Sequence, residues 1–89
     1  MKIMAVCGHG LGSSFMMEMN IKKALTTLGI EAEVEHTDLA SVNENDADLF
    51  IMAKDIANSS SVSKEKIVVV ANVVSVKEFE EKLRAYFKL

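Results

Sequence analysis

The stretch that decides the fold is K-I-M-A-V-C-G-H-G-L-G-S-S-F-M-M-E-M-N-I-K-K-A-L-T-T-L-G, residues 2–29. Lys2 to Val6 is a short apolar run that ends at a glycine-rich turn, which predicts a buried strand. Cys7 to Gly12 is then predicted to be a loop, because it holds three glycines in six residues. The only cysteine of the chain therefore stands directly after a strand.

A helix is predicted to follow this loop. Ser13 or Ser14 is a suitable N-cap, and Gly29 is placed as a C-cap glycine. Apolar residues recur between them at helical spacing, which predicts an amphipathic helix over Ser14 to Leu28. Its predicted buried face is formed by Met17, Ile21, Ala24, Leu25 and Leu28.

The remaining segments predict three more strands and a last helix. Ile30 to Thr37 alternates apolar residues with glutamates, which indicates an edge strand. Asp48 to Ala53 and Lys66 to Ala71 are apolar runs typical of buried strands. Between these segments, Ala40 to Asp46 is expected to be a short helix or turn, and Asn58 to Ser61 a loop.

The final helix has both an N-cap and an apolar stripe. Ser75, with Glu78 three residues later, is the pattern of a capping box. The predicted apolar stripe consists of Val76, Phe79, Leu83, Tyr86 and Phe87.

This order of elements predicts a single small α/β domain with a four-stranded parallel sheet, in order 2-1-3-4, flanked by helices. In such sheets the functional site lies beyond the carboxyl ends of the strands, where the strand order reverses. Here the reversal lies between the first and third strands. Cys7 is predicted to stand at that point.

Length and composition exclude several classes of protein. With 89 residues the chain is expected to form one domain. The formal net charge is −3 and there is no basic cluster, so no nucleic-acid partner is expected. The apolar run at Ile3 to Val6 is too short for a signal peptide or a membrane span, so a cytoplasmic location is expected. A lone cysteine forms no internal disulfide.

The chemistry expected at Cys7 is phosphoryl transfer. A helix N-terminus presents unpaired N–H groups and partial positive charge, which favour a thiolate and bind phosphate. The glycines let the backbone wrap around a bound group, and Ser13 and Ser14 add hydroxyl donors. The competing interpretation is a buried structural cysteine beside a tight turn.

Three similar patterns fit less well. A dinucleotide-binding fingerprint needs a third glycine where Ser13 stands. A low-molecular-weight phosphatase or arsenate reductase carries an arginine six residues after its cysteine, and here that position is again Ser13. A metal site made of Cys7, His9 and His36 matches no zinc spacing, so no metal and no cofactor are expected.

Residues 3 to 17, I-M-A-V-C-G-H-G-L-G-S-S-F-M-M, resemble the IIB components of the bacterial phosphoenolpyruvate-dependent sugar phosphotransferase system. The likeness is greatest to ascorbate-type IIB proteins, while galactitol-type and lactose-type relatives remain open. It extends over nearly the whole chain, so residues 1–89 are expected to form one IIB-like domain with a Rossmann-like, phosphatase-like fold.

The resemblance implies a phosphoryl carrier, a protein-phosphohistidine–sugar phosphotransferase. Cys7 would accept the group from a phosphohistidine of a IIA component and pass it to a sugar during uptake through a membrane IIC component. The implied phosphoryl-binding residues are Gly8, His9, Gly10, Leu11, Gly12, Ser13 and Ser14. A cysteine phosphatase and a regulatory IIB-like module are the alternatives.

Five further residues carry weaker expectations. For His9 and for Lys54 two interpretations stay open: a role at the phosphoryl group, or an exposed position on the surface. His36 continues the inward face of its strand, which predicts a buried structural histidine, and Asp38 is expected to form a turn. Met16 is a candidate docking residue, because flexible methionines suit surfaces that meet more than one partner.

Overall fold

The computed structural model describes residues 1–7, 11–71 and 75–88, with backbone only for residues 11–14. Short 3₁₀ turns cover Glu44–Asp46 and Lys64–Lys66. The strands and helices, in chain order, are β1 (Lys2–Cys7), α1 (Leu11–Leu28), β2 (Glu33–Asp38), β3 (Leu49–Ala53), α2 (Lys54–Ser59), β4 (Ile67–Val70) and α3 (Val76–Phe87).

The four described strands form one parallel sheet in the order β2-β1-β3-β4, which confirms the predicted topology. The register places Cys7 opposite Asp38 of β2, and Val6 opposite Met52 of β3. β1 is therefore an inner strand, and the strand order reverses between it and β3. β2 is an edge strand, as its glutamates predict.

Apolar side chains fill both faces of the sheet. On one face, Ile3 and Ala5 of β1 pack with the buried residues of α1 and α3. On the other face, Met4 and Val6 pack with Phe50 and with partly buried residues of α2 and the neighbouring turns. This strict alternation along β1 follows from the two-residue period of a strand. It sets which side chains of β1 enter each layer of the core, and the parallel pairing with β2 and β3 places Cys7 at the carboxyl edge of the sheet.

Helix α1 buries the predicted face and ends as predicted. Its residues at helical spacing are buried or partly buried against the sheet and α3. Gly29 has a φ of +73°, its N–H bonds to Thr26 O at 3.2 Å, and the Ile30 N–H bonds to Leu25 O at 2.9 Å. This pair of bonds is a Schellman motif, which satisfies the last carbonyls of the helix.

The predicted start of α1 was wrong. The helix begins at Leu11 rather than Ser14, so Ser13 and Ser14 lie inside its first turn and neither is the N-cap. A serine hydroxyl can also serve N–H groups from within the first turn, because the N–H groups without helical partners continue through that turn. Of the loop predicted over Cys7 to Gly12, Cys7 is instead the last residue of β1, and Leu11 and Gly12 are helical.

The predicted start of β2 was also wrong. The strand begins at Glu33 rather than Ile30, because the Ile30 N–H is already used to close α1. The first ladder bond runs from the Glu33 N–H to Met1 O at 2.9 Å. Ile30 and Ala32 still pack against the core, so the inward face was assigned correctly.

Helix α2 was not predicted. It covers Lys54–Ser59 and takes in half of the predicted loop at Asn58 to Ser61. Two of its residues, Ile56 and Ala57, pack on the second core layer, and this tertiary contact supports a helix too short for a helical sequence pattern. In the predicted segment Ala40 to Asp46, only Glu44–Asp46 is helical, as a 3₁₀ turn.

Helix α3 begins at the predicted cap. Ser75 Oγ accepts a hydrogen bond from the Glu78 N–H at 3.2 Å, and Glu78 Oε2 accepts one from the Ala71 N–H at 2.6 Å. Phe79 and Leu83 are its buried residues, while Tyr86 is exposed. No helix within the described ranges is long and apolar enough to cross a membrane.

Candidate functional site

Cys7 is the last residue of β1, half-buried at the carboxyl edge of the sheet. Its carbonyl accepts a hydrogen bond from the Leu39 N–H at 2.9 Å, just after the end of β2. The neighbouring strands β2 and β3 end at the same level. The backbone of Cys7 is therefore held by β2, while its neighbour Val6 is the last residue of β1 that pairs with β3, and the position of Cys7 at the switch point is as predicted.

Helix α1 begins four residues after Cys7, at Leu11. The first N–H groups of a helix have no carbonyl partner within it, and they carry the positive end of the helix dipole. No acidic residue lies in this first turn. The start of α1 is thus suited to an anion held close to Cys7.

The seven predicted phosphoryl-binding residues fall into two groups. Gly8, His9 and Gly10 lie outside the described residues. Residues 11–14 form the first turn of α1, so their backbone N–H groups are at the amino end of the helix. Phosphoryl binding by these seven residues, including the Ser13 and Ser14 hydroxyls, stays a prediction.

Asp38, opposite Cys7 in the register, forms a turn as expected. Its Oδ1 accepts a hydrogen bond from the Ser41 N–H at 2.7 Å. This bond directs the carboxylate into the turn that follows β2. Asp38 therefore fixes the loop beside the cysteine.

Lys54 lies at the carboxyl edge of β3 and is exposed. It is the first residue of α2, and the exposed Asp55 follows it immediately. The adjacent opposite charge offsets part of any positive potential that Lys54 adds near Cys7. Its location thus fits both interpretations made from the sequence.

His36 lies on the face of β2 that carries α1, but the prediction that it is buried was wrong. Its side chain is 38% exposed, because only the amino-terminal half of α1 covers this end of an edge strand. Nδ1 of His36 donates a hydrogen bond to Glu18 Oε1 at 2.6 Å, and the ring of Phe15 meets the imidazole edge-on at 6.2 Å. His36 therefore ties β2 to the second turn of α1.

Glu18 connects this histidine to the next turn of the helix. Its Oε2 accepts a hydrogen bond from Lys22 Nζ at 3.0 Å, and only 13% of the Glu18 side chain is exposed. The hydrogen bond from His36 lowers the pKa of the Glu18 carboxyl; partial burial opposes this effect, and Lys22 adds to it. No local sequence pattern predicts this cluster, because Glu18 and His36 lie on different elements 18 residues apart.

Helix α1 exposes large apolar side chains near Cys7. Phe15, Met16 and Met19 are 53%, 46% and 44% exposed, whereas Met17 between them is buried. We call Phe15, Met16 and Met19 the α1 patch. The predicted burial of Met17 is confirmed, and Met16, the candidate docking residue, has the exposed position that docking requires.

The only arginine of the chain lies far from the site. Arg84 is in the last turn of α3, and α3 starts at the carboxyl edge of the sheet and runs away from it. Eight residues separate Val76 from Arg84, which corresponds to about 12 Å along the helix. No arginine therefore lies near Cys7 to bind a phosphoryl group.

An open groove lies at the opposite, amino edge of the sheet. Its volume is about 600 Å³, and it is lined by Met1, Lys2, residues 31–33 and Asp48. In it the Lys2 N–H donates to Asp48 Oδ2 at 2.9 Å, and Lys2 Nζ pairs with Glu35 at 3.2 Å. This groove does not include Cys7.

Comparisons with known proteins agree on one family. Residues 2–85 match the sequence model described as "PTS system, Lactose/Cellobiose specific IIB subunit". The chain is 36% identical over 90 residues to the ascorbate-specific PTS system EIIB component of Salmonella choleraesuis, covering 98% of this chain and 89% of that protein. The protein of the same name from Escherichia coli O157:H7 is 34% identical with the same coverage.

Solved structures support the fold. A low-molecular-weight protein tyrosine phosphatase from Bacillus subtilis superposes with a TM-score of 0.61 at 17% identity, covering 99% of this chain and 95% of that one. The lactose-specific IIB domain from Streptococcus pneumoniae gives 0.60 at 15% identity, with the same coverage. Two different activities therefore share this backbone, and the side chains at the site must distinguish them.

Proposed function

Because the chain belongs to the lactose/cellobiose-specific IIB subunit family of the phosphotransferase system, we propose that Cys7 is the residue that carries the phosphoryl group. The observation that carries this proposal is the position of Cys7, at the end of an inner strand and four residues before α1. A nucleophile and a binding place for the transferred group thus share one short segment.

The first step is attack on a phosphohistidine of a IIA component. The Cys7 thiol gives its proton to solvent, and the thiolate attacks phosphorus in line with the histidine nitrogen. The S–P bond forms as the N–P bond breaks, and the imidazole leaves with the electron pair. The N–H groups at the start of α1 and the Ser13 and Ser14 hydroxyls hold the phosphoryl oxygens, so catalysis is by positioning and electrostatics.

The second step transfers the group to a sugar. A sugar hydroxyl attacks phosphorus, loses its proton to solvent, and displaces the Cys7 thiolate. This step takes place with a membrane IIC component, which supplies the sugar during uptake. The names of the relatives support ascorbate as the substrate. The activity is then that of a protein-phosphohistidine–sugar phosphotransferase in the cytoplasm, carried by a single IIB domain over residues 1–89.

The phosphatase fold makes hydrolysis of the phosphocysteine the competing outcome. In a phosphatase of this type, an arginine six residues after the cysteine stabilises the developing charge through paired hydrogen bonds. Ser13 occupies that position here, and Arg84 is at the far end of α3. A site that forms phosphocysteine without this arginine keeps the group long enough to pass it on.

Intact mass tests the proposal. The chain is incubated with phosphoenolpyruvate, the general phosphotransfer proteins and an ascorbate-type IIA protein. We expect a gain of one phosphoryl group, roughly 80 Da, that is absent in Cys7→Ser. Hydrolysis of a generic aryl phosphate is measured in parallel, and none is expected. No mass gain beside a phosphorylated IIA protein, or rapid aryl phosphate turnover, would refute the carrier function.

A further inference from the structure

We propose that the α1 patch, with the lysines that follow it on the same helix face, is the docking surface for the phosphorylated IIA donor. This proposal rests on the proposed function and adds the surface that recruits the donor. Transfer needs the donor histidine within covalent reach of Cys7, so the donor must cover the surface around the start of α1.

The patch lies on that surface. Residues three and four apart on a helix are neighbours, so Phe15 and Met16 lie beside Met19 on one outward face. Met19 is eight residues into α1, about 12 Å from the start of the helix. The three side chains are each about half exposed, although Met17 and Ile21 of the same helix are fully buried.

The aromatic member of the patch is held in place. The ring of Phe15 meets His36 edge-on at 6.2 Å, and His36 is itself bound to Glu18 at 2.6 Å. Such support keeps an exposed ring in one orientation and lowers the entropy lost on binding. The two methionines beside it adapt to the shape of a partner. A fixed aromatic with flexible neighbours is a composition enriched in interfaces.

The charge on the outward face of α1 favours the phosphorylated donor as its partner. Of the 13 acidic residues in the chain, only Glu18 lies in α1, and its carboxylate is bound by His36 and Lys22. Lys22 and the exposed Lys23 continue the outward face one turn after Met19. Because Lys22 is paired with Glu18, Lys23 supplies the net positive charge of this face, which favours a partner that presents a negatively charged phosphohistidine.

The membrane component fits this face less well. Cytoplasmic loops of membrane proteins carry an excess of lysine and arginine. Those loops would meet Lys22 and Lys23 with charge of the same sign. The patch is therefore assigned to the soluble donor.

The test measures the second-order rate constant for transfer from phosphorylated ascorbate-type IIA protein. In Met16→Gln/Met19→Gln the constant is expected to fall about tenfold, while excess donor still adds one phosphoryl group per chain. Phe15 is left unchanged because it also contacts His36. Tyr86→Gln is the matched control, since Tyr86 is an exposed helical side chain near the end of α3. Its rate constant is expected to be unchanged.

A second arm tests the charge. Lys23→Glu is expected to lower the rate constant several-fold at low salt and to flatten its dependence on ionic strength, whereas Lys64→Glu, before β4, is expected to do neither. Unchanged rate constants in both α1 variants, or an equal fall in Tyr86→Gln, would overturn the docking surface. A defect confined to transfer from Cys7 to sugar in IIC-containing membranes would assign the patch to IIC instead. If the wild-type chain accepts no phosphoryl group, the proposed function itself fails.

Discussion

Replacing Glu18 by glutamine is expected to destabilise the fold, because Glu18 joins α1 to β2. The carboxylate accepts hydrogen bonds from His36 at 2.6 Å and Lys22 at 3.0 Å, and its side chain is only 13% exposed. A hydrogen bond to a charged group contributes about 1.5–3 kcal/mol, against about 1 kcal/mol for a neutral pair. Glu18→Gln keeps the shape and loses the charge, so a loss of about 1 kcal/mol in the free energy of unfolding is expected.

Thermal and urea denaturation measure this loss. In a domain of this size 1 kcal/mol lowers the melting temperature by about 4–8 °C. Glu35→Gln is the control, because Glu35 pairs with Lys2 at 3.2 Å on an exposed part of β2. Such a surface pair typically contributes about 0–1 kcal/mol, so a smaller loss is expected for this control. A double-mutant cycle with His36→Gln then isolates the coupling between the two side chains.

The contribution of Glu18 to the free energy of unfolding is expected to decrease in acid. The folded protein lowers the pKa of Glu18 below its ordinary value of 4.5. A carboxyl with a lowered folded-state pKa stabilises the protein above its unfolded-state pKa, and this contribution is lost as pH falls through the folded-state value. The advantage of the wild type over Glu18→Gln is therefore fully present above about pH 4.5, and it is lost progressively as the pH falls from there through the lowered folded-state pKa. A loss no larger than that of Glu35→Gln, or one that grows in acid, would refute the reasoning.

Three further predictions follow from the caps and from the missing arginine. Ser75→Ala removes the oxygen that caps α3 at 3.2 Å from the Glu78 N–H, and a loss of about 1 kcal/mol by denaturation is expected; an unchanged midpoint would contradict this role. Gly29→Ala places a side chain at a φ of +73° in open space, so conformational strain of about 1 kcal/mol is expected, and a stability equal to that of the wild type would show that the Schellman turn tolerates alanine. Ser13→Arg supplies the arginine of the phosphatases, and we expect the phosphocysteine to hydrolyse at least about tenfold faster, measured as phosphate release after the donor is removed. An equally long-lived phosphocysteine would show that more than this arginine separates carrier from phosphatase.

The sequence predicted most of the fold because its apolar patterns are regular. The parallel order 2-1-3-4 follows from alternating strand and helix signals, and the structure has it. Errors fell where a local pattern was overridden by contacts elsewhere. Ile30 was placed in a strand by its alternation, yet its N–H closes α1. Helix α2 has no helical pattern in its sequence. It forms because Ile56 and Ala57 pack on the core beneath them.

The site was only partly predictable for a similar reason. The position of Cys7 before a helix is a local feature, and the turn at Asp38 is local as well. The cluster of Glu18, His36 and Phe15 joins two elements and has no local signal. His36 was assigned to the core from the two-residue period of its strand. This period shows which side of the sheet a side chain is on, but not how much of it is buried at an edge strand.

The central claim is that the phosphoryl group is carried by sulfur at Cys7, and fragmentation of the phosphorylated chain tests it most directly. The tryptic peptide from Ile3 to Lys22 contains Cys7 together with His9, Ser13 and Ser14, so fragment masses separate a phosphorylated cysteine from its neighbours. We predict that the added mass lies on Cys7 alone and that the same peptide from Cys7→Ser carries none. Added mass on His9, Ser13 or Ser14 in the wild-type peptide would contradict the claim.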